Sequence, residues 1–216
     1  MRKETAIRWV AKPVIFAVSL LPLLWITWAV INGDLGGALN ANPVETVNRF
    51  LGDWALRFML IALSVTPLVK LSGWTTPVRF RRMLGLFAFA YAFLHLANYI
   101  VADQFFNWAD IWADIVKRQF ITVGMLTFAI LTALALTSPK AAIKKMGAKR
   151  WRMLHRSVYI AGIGSVVHYW MMVKADLTQP MIHAAILFVL LGYRLIKKRR
   201  PKSAPASRRS AGMQMV

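Results

Sequence analysis

Apolar residues gather into six long runs, separated by shorter polar stretches. The runs cover about residues 13–31, 52–69, 83–102, 120–137, 155–173 and 181–196. Each approaches the roughly 20 residues that an α-helix needs to cross about 30 Å of hydrocarbon. Glycine and proline recur in the connections, where they end helices. The pattern predicts an all-α, polytopic membrane protein, folded as a six-transmembrane-helix bundle.

Composition supports this class of protein. Of the 216 residues, 58% are hydrophobic, whereas about 45–50% is usual for soluble domains. The first run follows a basic start, as in a signal peptide, but it is too long for a typical signal sequence and is predicted to stay as the first helix. Residues 1–196 therefore form one predicted membrane domain. Residues 197–216 are basic and of low complexity, which predicts a disordered cytoplasmic tail.

The distribution of charge predicts the orientation in the membrane. Of the 28 lysines and arginines, 23 fall at 1–12, 70–82, 140–156 and 194–209, which are alternate gaps between the apolar runs. Seven of the eight acidic residues fall on the other side. Cytoplasmic segments carry the excess of basic residues, so both termini are predicted to be cytoplasmic. This placement also argues against nucleic-acid binding as the reason for the net charge of +20.

Histidines are the main candidates for chemistry. The chain has no cysteine, which excludes disulfides, iron–sulfur clusters and thiolate ligands. His95 and His168 lie about twelve and thirteen residues into the third and fifth runs, which both point outward. The two imidazoles are thus predicted at nearly the same depth, as bis-histidine ligation of one haem iron requires. A proton relay is an alternative, although the sequence places no carboxylate beside them within the membrane.

His155 is predicted at a different level. It precedes His168 by thirteen residues, or roughly 20 Å along one helix, so the two cannot bind the same iron. A second, inner haem is conceivable, but Arg81 or Arg82 occupies the position that would supply its other ligand. An interfacial histidine is the alternative for His155. His183 has no partner at its depth and stays outside the predicted ligand set.

Two glycines between these histidines allow two interpretations. Gly162 and Gly164 could let a flat cofactor approach the backbone of the fifth helix. They could equally mark a close contact between two helices, because small residues are common at such contacts in membranes.

Two stretches carry a family resemblance: RRMLGLFAFAYAFLHLANY at 81–99 and WRMLHRSVYIAGIGSVVHYWMMVK at 151–174. With NGDLGG after the first run, TPL at 66–68 and LALTS at 134–138, they resemble the MsrQ (YedZ) family in order and spacing. That family is part of the ferric reductase-like transmembrane group, which includes the NADPH oxidases. The resemblance covers about residues 10–200.

The resemblance implies a function. Members of this family are bacterial inner-membrane proteins that bind haem b, and FMN is also associated with them. They pass electrons from the quinone pool, or from a cytosolic flavin reductase, to the periplasmic molybdopterin subunit MsrP. MsrP reduces methionine sulfoxide in oxidised proteins, so the catalytic site would lie on the partner. The family's haem-iron ligand positions fall on His95, His155 and His168.

The wider group has two histidines on each of helices three and five. This chain departs from that pattern at Arg81 and Arg82. It also has no G-x-G-x-x-G motif and no cytosolic nucleotide domain, so its electrons are expected to come from a membrane quinol or another protein. Two alternatives stay open. One is a stand-alone ferric or cupric reductase-type cytochrome b, and the other is a cofactor-free transporter or assembly subunit.

Overall fold

The computed structural model describes residues 3–33 and 42–199, and none of these residues forms a β-strand. The α-helices are α1 Lys12–Ile31, α2 Pro43–Ser72, α3 Arg81–Asn98, α4 Trp108–Lys117, α5 Gln119–Leu136, α6 Lys140–Met146, α7 Ala148–His155, α8 Val158–Met172 and α9 Thr178–Arg199. A helical turn at Lys3–Ala6 and a π-helical turn at Ile7–Ala11 precede α1, and a π-helical turn at Tyr99–Asp103 extends α3. The all-α prediction is confirmed for the described residues.

Each of the six predicted runs is largely helical, and five of the helices are long and apolar enough to cross a membrane. These five are Glu4–Ile31, Pro43–Ser72, Arg81–Asp103, Gln119–Leu136 and Thr178–Ile196. The exception is α8, whose 15 residues extend only about 22 Å. The chain is therefore a multi-pass helical membrane protein, with five clear spans among the described residues.

The prediction of one helix over 155–173 is wrong. The chain tightens after α7, where Arg156 N–H and Ser157 N–H donate to carbonyls only three residues back, at 3.2 and 2.9 Å. The Ser157 hydroxyl also donates to the Leu154 carbonyl, at 2.7 Å. These local bonds replace the regular α-helical ladder, so α7 ends at His155 and a separate helix begins at Val158.

Two other boundaries differ from the predicted ones. The helix predicted from residue 52 begins at Pro43, because the Asn42 side chain caps its start by accepting from Glu45 N–H and proline suits the first turn. The last helix continues to Arg199, beyond the predicted end at 196. Residues 200–216 of the predicted tail lie outside the described residues.

A tyrosine attaches α1 to α3. Pro22 lies inside α1, where proline disturbs the helix. One residue later, Leu23 N–H donates to the Tyr91 hydroxyl at 3.1 Å, and that hydroxyl donates to the Ser19 carbonyl at 2.9 Å. Tyr91 is 1% exposed. The hydroxyl thus stands between a donor and an acceptor that would bond to each other in an uninterrupted helix.

A second proline organises the contact between α2 and α9. Pro67 has no N–H, so the Leu63 carbonyl four residues earlier has no partner in the α2 ladder. Arg194 of α9 supplies the missing donor, with its Nη2 2.6 Å from the Leu63 oxygen. A polar side chain is thereby held against the apolar interior.

The tightest helix pairs are α2 with α3 and α5 with α8. The glycines of α8 belong to this packing. A Cβ added at Gly162 would lie 3.3 Å from Leu187 and 3.6 Å from Leu63, and one at Gly164 would collide with Thr127 of α5. Of the two interpretations open for these glycines, the structure favours close helix contact.

Candidate functional site

His95 of α3 and His168 of α8 face each other inside the bundle. Their ring centroids are 6.2 Å apart, and the ring planes are nearly perpendicular, at 82°. The predicted proximity of these two side chains is confirmed. Their role as ligands stays a prediction.

A backbone carbonyl on a neighbouring helix orients each ring. His95 Nδ1 lies 2.9 Å from the Asn48 carbonyl oxygen of α2. His168 Nδ1 lies 2.6 Å from the Phe120 carbonyl oxygen of α5. A carbonyl can only accept, so Nδ1 carries the proton in each neutral ring and Nε2 keeps its lone pair. The two histidines are therefore in the tautomer that can bind a metal through Nε2.

A glycine makes room for each ring, four residues after the carbonyl that orients it. A Cβ at Gly52 would lie 3.2 Å from His95 Nδ1, and a Cβ at Gly124 would lie 2.9 Å from His168 Nδ1. The same arrangement thus occurs twice, with a carbonyl at position n and a glycine at n+4. It lets each imidazole lie directly against a helix backbone.

The two histidines border one cavity of about 350 Å³ between α2, α3, α5 and α8. Most of its wall is apolar, and the apolar lining includes Leu56, Met59, Leu96, Ile121, Phe128 and Leu131. One end is polar and carries Arg49 and Arg118. These arginines pair with Glu45 at 2.5 Å and with Asp114 at 3.0 Å. The cavity is of the size that cofactor pockets have, about 300–1,000 Å³.

A carboxylate also borders the cavity of the two histidines. Asp53, within the span Pro43–Ser72, lines the same cavity. Arg57 lies 3.9 Å from this carboxylate, and Tyr169 lines the cavity together with it. Because Tyr169 follows His168 directly, an acid and a phenol adjoin the histidine pair.

His155 lies apart from this cavity, at the end of α7. Its Nε2 is 3.2 Å from the Thr137 hydroxyl, and its ring stacks on Trp151 with centroids 4.0 Å apart. The Thr137 hydroxyl already donates to the Ala133 carbonyl at 2.6 Å, so it accepts from His155. Burial lowers the pKa of His155, and the charge of Arg81 lowers it further, so the ring is neutral at pH 7.

His183 is also outside the cavity lining. It is 5% exposed, and its Nδ1 donates to the Gln179 carbonyl, at 2.7 Å, within α9. Its ring contacts that of Tyr169 edge to face, at 5.8 Å. Its exclusion from the predicted ligand set stays a prediction.

The pair of imidazoles restricts the possible chemistry. In the described part of the chain, no three histidine or acidic side chains come together as a metal site. His95 and His168 alone would leave a metal ion with two protein ligands, fewer than ordinary protein metal sites supply. A metal here would need its remaining ligands from a bound group that fills the cavity.

Sequence reasoning missed Gly52, Gly124 and Asp53. The two glycines lie inside apolar helices, where glycine weakens the helix and usually has a packing reason. Asp53 is an acid at the start of an apolar run, which also marks a functional position. Their neighbours could not be read from the sequence, because Gly52 and Gly124 contact histidines 43 and 44 positions away along the chain.

Comparison with known proteins agrees with this architecture. Residues 51–166 match the family described as Ferric reductase like transmembrane component. A relative in Rhodospirillum rubrum is 51% identical over 195 residues, which is 89% of this chain and 92% of the relative. Relatives in Polaromonas naphthalenivorans and Caulobacter vibrioides are 50% and 42% identical, over 86% and 88% of this chain and 84% and 90% of their own lengths. All three are named "Protein-methionine-sulfoxide reductase heme-binding subunit MsrQ". The chain belongs to the MsrQ family, as its sequence motifs predicted.

Proposed function

We propose that this chain is a haem b electron-transfer subunit, with His95 and His168 as the axial ligands of one iron. The separation of the two rings carries the proposal. Two imidazoles this close together, each bonded to a backbone carbonyl through Nδ1, could both bind one metal ion through Nε2. The observed separation is 6.2 Å.

Other features of the cavity suit haem. Both Nε2 lone pairs are available, and the walls of the cavity are mainly apolar. Gly52 and Gly124 place no side chain in the lining beside the two rings. Arg49 and Arg118, at the polar end, would pair with the two propionates. When bound, haem supplies one-electron transfer. The chain's own part is to fix the two ring orientations and keep water from the apolar part of the cavity.

The proposed path runs across the bacterial inner membrane. Electrons would come from the quinone pool or a cytosolic flavin reductase and would leave to the periplasmic subunit MsrP, which repairs methionine sulfoxide in proteins. FMN belongs to this proposal as a second cofactor, and His155 as a ligand of an inner haem. The names of the relatives and the family resemblance support the overall role.

The proposal includes six membrane-crossing helices and cytoplasmic termini. The short α8 would be the fifth crossing, with α6 and α7 on the cytoplasmic side, because these two helices hold many of the basic residues. The absence of native cysteine makes the test simple. In intact spheroplasts, an impermeant maleimide should label a Lys174→Cys variant, and should label Lys145→Cys only after permeabilisation. The reverse pattern would contradict the topology.

The haem proposal is tested by spectroscopy of the purified protein. We expect a b-type reduced-minus-oxidised spectrum and about one haem per chain at this site by pyridine haemochrome assay. His95→Ala and His168→Ala should each remove that haem. His183→Gln serves as the control, because it removes a buried imidazole outside the cavity and should keep the haem. Unchanged haem in both cavity variants would refute the assignment.

Proton transfer is the second candidate function, and the position of Asp53 favours it. Asp53 and Tyr169 both line the histidine cavity. A cofactor-free proton pathway would make the purified protein colourless and would conduct protons across liposomes. Asp53→Asn should then stop proton flux. Bound haem together with proton-tight liposomes would reject this candidate.

A further inference from the structure

Two arginines reach the same turn of α2 at the end of the bundle formed by the start of α3 and the last turns of α9. Arg194 Nη1 donates to the Tyr159 hydroxyl, and its Nη2 donates at 2.6 Å to the backbone carbonyl of Leu63, three residues before Thr66 on α2. Arg81 Nη1 is also 3.2 Å from the Thr66 hydroxyl oxygen. All of these side chains are half-buried. Two positive charges are therefore held close together, partly out of water.

No acid balances these charges within the described residues. The ion pairs there join Arg49 to Glu45, Arg57 to Asp53, Arg79 to Glu4, and Arg118 to Asp114. The strongest charge acting on Arg81 is that of Arg194, which repels it. The site is a cationic pair without a counter-ion from the described chain.

Backbone support explains only part of this arrangement. Arg194 Nη2 satisfies the Leu63 carbonyl that Pro67 leaves without a donor. A lysine or a glutamine in place of Arg194 could also donate to a single carbonyl. The need for that donor therefore does not explain why a second arginine, Arg81, lies nearby. Arg194 Nε is buried and has no hydrogen-bond partner. An arginine has five N–H donors, so Arg81 and Arg194 have more donors than their described hydrogen bonds use. Those hydrogen bonds hold the two guanidinium groups in place.

We propose that Arg81 and Arg194 bind the phosphate group of a ligand at this end of the bundle. Guanidinium forks match phosphate oxygens in pairs and carry the opposite charge. Basic pockets between membrane helices on the cytoplasmic side bind anionic lipid headgroups in this way. The phosphate comes either from an anionic phospholipid or from a soluble phosphate monoester such as FMN. The site is separate from the histidine cavity and does not depend on haem there.

The test compares ligands that differ by one phosphate or one charge. The full chain is purified in detergent, depleted of lipid, and its thermal unfolding is followed with added phosphatidylglycerol, phosphatidylcholine, FMN or riboflavin. A ligand that binds the folded state raises the unfolding temperature. We expect a rise of several degrees with phosphatidylglycerol but not with phosphatidylcholine, or with FMN but not with riboflavin. The first result identifies a lipid and the second a phosphorylated cofactor.

Substitutions test whether binding of the phosphate ligand depends on Arg81 and Arg194. Arg81→Gln should weaken binding at least tenfold, and Arg194→Lys should weaken it while keeping the charge and a donor for Leu63. Arg82→Gln is the matched control, because Arg82 is the exposed neighbour and its removal changes the net charge equally. The proposal is overturned if neither phosphate ligand stabilises the protein, or if Arg81→Gln binds it as tightly as Arg82→Gln does.

Discussion

Replacing Gly124 by alanine tests whether the backbone positions the histidine pair. The added Cβ would lie 2.9 Å from His168 Nδ1 and Cε1, whereas carbon atoms prefer about 3.5–4.0 Å. The ring must therefore move by roughly 0.6–1 Å. The bond from Nδ1 to the Phe120 oxygen, now 2.6 Å, would be stretched or bent. Losing such a bond costs about 0.5–1.5 kcal/mol.

Alanine also favours the helix, by about 1 kcal/mol relative to glycine. These two effects nearly cancel in the free energy of unfolding, so the haem-free protein should be about as stable as the parent. Haem affinity should change much more. Loss of the hydrogen bond that orients a metal-bound histidine typically lowers metal affinity by about 10–100-fold.

The assay is a haem titration of the purified haem-free protein, followed at the Soret band, with thermal unfolding in parallel. Gly52→Ala should show a smaller loss, because its Cβ would be 3.2 Å from His95. Gly85→Ala is the matched control, since it is a helical glycine with nothing within 4 Å of an added Cβ. Haem affinity of Gly124→Ala equal to that of Gly85→Ala would refute the reasoning.

Further substitutions test the packing. Tyr91→Phe leaves Leu23 N–H and the Ser19 carbonyl without their shared partner, so we expect the free energy of unfolding to fall by about 1–3 kcal/mol. Denaturation in mixed micelles measures this loss. An unchanged midpoint would show that these two groups bond to each other within α1 and do not need the tyrosine. Gly164→Ala forces α8 away from Thr127 and should cost about 1–3 kcal/mol through overpacking. A Thr127→Ser change in that background should restore little, because the hydroxyl itself makes the collision.

Much of the fold follows from apolar run length and charge alone. The six runs were predicted because a hydrocarbon layer requires long apolar segments, and the depth match of His95 and His168 followed from counting residues along two helices. The break at Arg156 and Ser157 was not predictable in this way. It depends on which local hydrogen bonds form, and apolar periodicity carries no information about them.

The details of the site depend on contacts between distant parts of the chain. The histidines could be paired by depth, but the carbonyls that fix their tautomers belong to helices α2 and α5, and helix adjacency is not encoded in run length. Asp53 was assigned to the outer polar side because of its charge. The helix start at Pro43, set by the Asn42 cap, makes it an interior residue of α2 that lines the cavity.

The Tyr91 hydroxyl has a consequence for the order of assembly. Ser19 and Leu23 belong to the first helix that the ribosome delivers to the membrane, and Tyr91 belongs to a segment made about seventy residues later. Until that segment arrives, α1 has only lipid beside it, where an unpaired backbone group is costly. In the early helix, Leu23 N–H and the Ser19 carbonyl should therefore have only each other as partners. The tyrosine reaches both groups only when α3 inserts, so the polar contact that attaches α1 to α3 forms in a step that follows synthesis of α1.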